Sequence, residues 1–158
     1  MILRIRNEFY EMLEAGFWKN KKLAEMNREE WEALCDGCAR CCLYKLQDDE
    51  TGELFYTNVV CRLLDTYRCT CGNYPQRAKL VPTCLVLDPE LVTRLNWMPK
   101  TCAYRLLAEG SPLPEWHPLV SGDRNSVHRA GISVRYRIVE EKDADMDQLE
   151  DYIVDWLG

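Results

Sequence analysis

The chain has 158 residues, 47% of them apolar and 29% charged, the balance of an ordinary globular domain and not of a disordered, collagenous or coiled-coil chain. Its 20 basic and 26 acidic side chains leave a net charge of −6, the wrong sign for general nucleic-acid binding or for an anionic lipid surface. No apolar run approaches the roughly 18–20 residues that span a bilayer. The apolar residues of the N-terminus are interrupted by Arg4, Arg6, Glu8, Glu11 and Glu14, which argues against a secretory signal and for a cytoplasmic protein.

Phe9, Met12, Leu13 and Phe17 recur at helical spacing, followed by Leu23 and Met26, and predict an N-terminal helical region. Asn27 with Glu30 three residues later reads as a capping box opening a short helix through Trp31 and Leu34. Residues 42–46 and 54–57 flank the polar turn 47–52 and predict a hairpin. Residues 58–87 read as irregular. Asp88-Pro89-Glu90 reads as N-cap, first-turn proline and acidic first turn of a helix to about Leu95. A further helix runs from Thr101 to Glu109, with Cys102 in its first turn, and stops at Gly110. Residues 132–139 alternate with period two and predict a strand. Residues 143–157 place Met146, Leu149, Ile153 and Trp156 on one face of a C-terminal amphipathic helix. The expected architecture is a small, single, helix-dominant α+β domain over residues 1–158, with irregular cysteine-bearing loops, a short hairpin and a late strand.

Nine cysteines are the unusual feature. In a reducing compartment such residues more often bind metal than form disulfides, and an odd count leaves one thiol unpaired in any disulfide scheme. Cys35, Cys38, Cys41 and Cys42 fall within eight residues, as Cys-x-x-Cys-x-x-Cys-Cys. Three-residue spacing lets thiolates converge from a turning loop onto one centre, with Gly37 freeing the tightest turn. The triplet with a remote fourth thiolate also matches the spacing of a bacterial [4Fe–4S] run. Adjacent side chains usually diverge, so either Cys41 or Cys42 is expected to face a second site or the core. Cys69 and Cys71, two apart, would share one face of an extended segment. Cys61, Cys84 and Cys102 stand alone and read equally as small core residues or as remote ligands. Nine thiols fill two four-cysteine sites with one over, or one site plus structural thiols.

Arg40, Arg62, Arg68 and Arg77 punctuate these stretches and would offset the negative charge of a thiolate centre, or simply be solvated. Arg135 and Arg137, with Arg124 and Arg129 nearby, mark either a local site for an anionic partner or a solvated strand face. His117 and His128 are the candidate ligands or acid–base groups, while Asp36, Asp48, Asp49 and Glu50 read as turn acids. No Walker loop, GxGxxG, HExxH or GxSxG occurs.

The segments CDGCARCC, NVVC, RCTCGNYPQR, PTCLVL, WMPKTCAYRLLAEG and LPEWHPLVSG together resemble the YcgN-type branch of the YkgJ cysteine-cluster family, a zinc- or iron-chelating domain family. The resemblance covers about residues 17–139. It implies that all nine cysteines (Cys35, Cys38, Cys41, Cys42, Cys61, Cys69, Cys71, Cys84 and Cys102) occupy family positions, and that Cys71, Tyr74 and Arg77 form its Cys-x-x-Tyr-x-x-Arg element. Ala39 departs from the pattern, many members carrying glycine there, and predicts an ordinary negative φ. A larger relative methylates lysines on flagellin, which makes an iron–sulfur centre conceivable. That enzyme is much longer, with no counterpart here for a separate methyl-donor domain.

The expected function is therefore binding of an iron–sulfur cluster, [4Fe–4S] by spacing, or of zinc, in a redox, metal-handling or structural role. The alternatives are a metal-dependent modifying enzyme and a zinc-stabilised module that binds a protein partner. A structural zinc contributes on the order of 10–16 kcal/mol of apparent binding energy, as much as the whole ~5–15 kcal/mol net stability of a domain. Residues 35–84 are accordingly expected to be ordered by the metal.

Overall fold

A computed structural model describes Tyr10 and residues 12–157 of the chain. Phe9, the first apolar residue of the expected N-terminal helix, lies outside the described residues. Tyr10 is helical, and residues 12–16 are not. Helix α1 covers only Phe17–Asn20, entered from Gly16 in the left-handed conformation at φ 71°, and Met12 is exposed. A left-handed residue reverses the chain direction that a continuous helix would need.

Helix α2, Arg28–Ala33, begins as its sequence specifies. The Asn27 side chain accepts the Glu30 amide at 2.8 Å, and the Glu30 carboxylate accepts the Asn27 amide at 3.0 Å. Strands β1 (Leu43–Gln47) and β2 (Leu54–Val60) form the expected antiparallel hairpin. Asp48 closes its turn by accepting the amides of Glu50 and Thr51. Beyond β2, the region expected to be irregular holds a two-residue ladder, β3 (Leu64–Asp65) against β4 (Thr70–Cys71), and helix α3 (Arg77–Leu80). Helix α4, Pro89–Arg94, is capped by Asp88, which accepts the Leu91 amide at 2.7 Å. Helix α5 covers Ala103–Ala108, with Cys102 as its N-cap and not in its first turn. Helices α6 (Pro118–Ser121) and α7 (Ser126–Arg129) follow.

The longest helices among the described residues have six residues, and the domain is a mixed α/β assembly of short elements. Two expectations are corrected. Of the strand expected over residues 132–139 only β5, Val139–Glu140, forms, paired in parallel with the end of β2. Tyr136 at φ 67° breaks the extended run. The C-terminal amphipathic helix is also absent: residues 143–157 contain a 3-10 turn at Leu149–Tyr152 and irregular chain, and Met146 and Ile153 are exposed. Asp145 accepts the Asp147 amide and donates its own amide to the Tyr152 hydroxyl, local bonds that compete with helical ones.

Two apolar cores result. One gathers the helical half around Phe17, Leu34, Val92, Met98 and Tyr104. The other sits on the sheet, where Ala39, Leu43, Val60 and Val134 pack with Trp156. Residues 35–42 run from the first core to the second, so the cysteine loop spans the seam between them.

Candidate metal centre

The loop is held by its own backbone and by distant chain. Leu34 caps α2 and is fully buried. Asp36 Oδ1 then accepts the Cys38 amide at 2.8 Å, turning the chain between the first two cysteines, and Gly37 takes φ 77°. Ala39 adopts φ 60°, correcting the negative value expected for an alanine. Its methyl is buried in the sheet core, and that packing retains a conformation costing roughly 1–2 kcal/mol for an L-residue. A 3-10 turn, Arg40–Cys42, delivers the chain into β1. From the far side, the Val134 amide donates to the Cys38 carbonyl at 3.0 Å and Arg40 Nε to the Ile132 carbonyl at 2.7 Å. The late segment misread as a strand is thus a buttress for the cysteine loop.

The fold brings remote cysteines to this loop. The Cys61 amide donates to the Cys42 carbonyl at 3.0 Å, placing the end of β2 beside it. Cys102, at the head of α5, lies in the electrostatic field of Asp36 and Cys41. Cys84 lies in that of Cys61, Cys41 and Cys71. The charge of a Cys41 thiolate raises the thiols of Cys35, Cys38, Cys42, Cys84 and Cys102. Cys69 stands apart. Its φ of 56° removes it from the extended geometry that would put it on one face with Cys71, and its thiol faces Arg135 and Ser133.

Cys35 and Cys41 reach the surface, whereas Cys38 is buried. Burial pushes the Cys38 thiol up, reinforced by Asp36 and Cys41, and pushes Cys102 up to about 12. Cys41 and Cys42 do not diverge as expected. The two thiols interact, which holds Cys41 down at about 7 and Cys42 high. Lys45 adds to the lowering of Cys41 and donates to the carbonyls of Cys41 (3.1 Å) and Leu43 (2.8 Å). Arg40 is buried beside Cys38 and Asp36, the best placed of the four arginines to offset thiolate charge. Arg62 instead donates to the Leu80 carbonyl at 2.6 Å, and Arg68 donates its backbone amide to Asp65 at 2.8 Å. Arg77 lies 3.8 Å over the Tyr74 ring, whose hydroxyl donates to Glu32 on α2 at 2.7 Å. The Tyr74–Arg77 element therefore ties the loop after Cys71 to the helix before Cys35.

Among the described residues, no group of three or more Cys, His, Asp or Glu side chains is arranged to hold a metal ion. The donor set still fits one in chemistry. Soft thiols dominate it, two cations flank it, and the buried Asp36 Oδ2 has no hydrogen-bond partner. Asp36 is the turn acid its sequence suggested, its Oδ1 accepting the Cys38 amide.

The two histidines are structural. His117 is fully buried as the N-cap of α6, where Nδ1 accepts the Leu119 amide at 3.0 Å. Nε2 must then carry the proton, and it donates to the Leu34 carbonyl at 2.9 Å. Burial holds the ring below its ordinary pKa and therefore neutral. His128 Nδ1 is bonded to the Ser133 hydroxyl at 2.7 Å. The late arginines are not a strand face: Arg135 and Arg137 stack on Tyr67 and Trp156, Arg124 on Tyr10, and Arg129 pairs with Asp123.

A seam loop carrying four cysteines, with remote thiols folded against it, defines a cysteine-cluster domain of mixed α/β type. A family model described as "CxxCxxCC: Putative zinc- or iron-chelating domain" matches residues 34–103. The UPF0260 protein of Granulibacter bethesdensis is 58% identical over 142 residues, covering 90% of this chain and 84% of that protein. The UPF0260 protein of Rhizorhabdus wittichii is 57% identical over 139 residues (88% and 94%), and that of Cellvibrio japonicus 55% over 141 residues (89% and 96%). The chain belongs to the UPF0260 family. No solved structure matches it. No helix among the described residues is long and apolar enough to cross a membrane.

Proposed function

We propose that the chain binds zinc or iron through a thiolate centre assembled from Cys35, Cys38, Cys41 and Cys42, with Cys102 brought in by α5. The supporting observation is that all of these cysteines fall within the matched zinc- or iron-chelating domain, residues 34–103, with their thiols in the electrostatic field of Cys41 or Asp36. Cys61, Cys71 and Cys84 form the adjoining group and supply any second site. Cys69, facing Arg135 and Ser133, stays outside the centre. The Cys-x-x-Cys-x-x-Cys spacing with a remote thiol favours an iron–sulfur cluster, [4Fe–4S] in type, and zinc is the alternative occupant. Bound there, the centre supplies either electron transfer or a cross-link between the two cores.

A metal-handling, redox or structural role is favoured over a modifying enzyme. Both ring nitrogens of His117 are bonded to backbone, so this ring is not free to act as an acid or base beside the cysteines. The test is metal content of single serine variants purified without oxygen. C38S, C41S and C102S should lose most of the bound metal, and C69S should retain it. Full retention in C41S and C102S, or loss in C69S equal to theirs, would refute the assignment.

A further inference from the structure

Asp36 uses only half of its carboxylate. The residue is 7% exposed, inside the first cysteine pair. Its Oδ1 accepts the Cys38 amide, while Oδ2 is buried without a hydrogen-bond partner. Native folds leave few buried polar atoms unpaired, because each costs about 1–3 kcal/mol and more when charged. The nearby buried cation does not close the gap, since Arg40 directs its Nε to the Ile132 carbonyl. A second buried orphan, Thr101 Oγ1, belongs to the residue preceding Cys102. Unpaired oxygens therefore occur on two chain segments that the fold brings to the same thiols. The Asp36 carboxylate acts on Cys35, Cys38, Cys41 and Cys102 alike.

We propose that Oδ2 of Asp36 is a ligand of the metal centre, an oxygen donor that takes one of its four positions in place of one of the five thiolates named above. This rests on the metal-binding reading above. A carboxylate carries the same charge as a thiolate but is a harder donor, so it biases the centre toward zinc or iron and away from copper(I), which all-sulfur sites prefer. The assignment also gives the Asp-Gly within the first cysteine pair two separate tasks. Oδ1 fixes the turn, Gly37 takes the left-handed conformation, and Oδ2 is left without a hydrogen-bond partner.

The substitution D36N separates these tasks, because an amide oxygen can still accept the Cys38 amide and preserve the turn. Reduced, metal-free full-length protein would be titrated with cobalt(II) against a competing chelator. D36N should bind at least about tenfold more weakly than the wild type while keeping its thiolate-to-cobalt charge-transfer band per bound ion. In the wild type loaded with cadmium, cadmium NMR should give a mixed sulfur–oxygen shift that moves in D36N. This second measurement decides the matter if D36N folds poorly, because an all-sulfur shift in the wild type overturns the assignment by itself. Cobalt affinity of D36N within about threefold of the wild type would equally overturn it. A wild type that binds neither cobalt nor cadmium would overturn the metal-binding reading itself.

Discussion

Replacing His117 by alanine removes the one side chain that joins the loop before α6 to the last residue before the cysteine cluster. The ring is fully buried and bonds two backbone groups, the Leu119 amide at 3.0 Å and the Leu34 carbonyl at 2.9 Å. Each group left unpaired costs about 1–3 kcal/mol, so H117A should lose about 2–6 kcal/mol. That is a large share of a typical net stability of ~5–15 kcal/mol. A loss of about 3 kcal/mol would lower Tm by roughly 6–12 °C in a chain of this size. H117N, whose side-chain oxygen can cap Leu119 without reaching Leu34, should fall between. The pH dependence has a definite sign. Burial lowers the folded pKa below 6.5, so as pH falls through about 6.5 the unfolded chain takes up a proton that the folded ring refuses. Stability should fall on acidification by up to about 1.4 kcal/mol per pH unit from this group, and the contribution vanishes above that range. Urea unfolding of wild type and H117A from pH 5 to 8 measures both effects, and His128 contributes equally to each protein. A stability difference under about 1 kcal/mol at pH 7, with identical pH slopes, would refute the reasoning.

Tyr136 is exposed and held at φ 67°, so Y136N, which suits the left-handed conformation, should raise stability by roughly 0.5–1 kcal/mol, and Y136V should lower it, as read by thermal unfolding. The caps give a matched pair: N27A and D88A should each cost about 1 kcal/mol in chemical denaturation, with N27A affecting the approach to Cys35 more directly. K45M removes a cation beside Cys41 and should raise the pH at which Cys41 alkylates in the metal-free protein.

What could be read from the chain followed the range of the interactions involved. The Asn27–Glu30 box and the Asp88 cap are made within four residues, and both formed as their spacing specified. The hairpin likewise depends on a local turn around Asp48. Residues 132–139 alternate like a strand, but their arginines are drawn to distant partners. Arg135 donates to the Tyr67 carbonyl at 2.5 Å, and Arg137 to those of Gly131 and Ser133 while lying over Trp156. Those contacts, with Tyr136 turned left-handed, convert the segment into a brace. Of the C-terminal apolar period Trp156 goes to the sheet core, while Met146 and Ile153 are exposed, and the Val154 amide bonds to the Tyr56 carbonyl on β2. Ala39 departs from an alanine's ordinary negative φ because its conformation is set by burial in that core and not by its own preference. The first cysteine cluster was legible because its members are close in sequence. The arrival of Cys61 and Cys102, the isolation of Cys69 and the orphaned oxygen of Asp36 depend on contacts over tens of residues.

The central claim is that this fold holds a metal on its cysteines. The direct measurement is elemental analysis and a visible spectrum on one sample of the full chain purified without oxygen. Iron with labile sulfide and broad absorbance near about 400 nm, or zinc at about one or two equivalents in colourless protein, is the predicted result. Folded protein carrying neither iron nor zinc would contradict it.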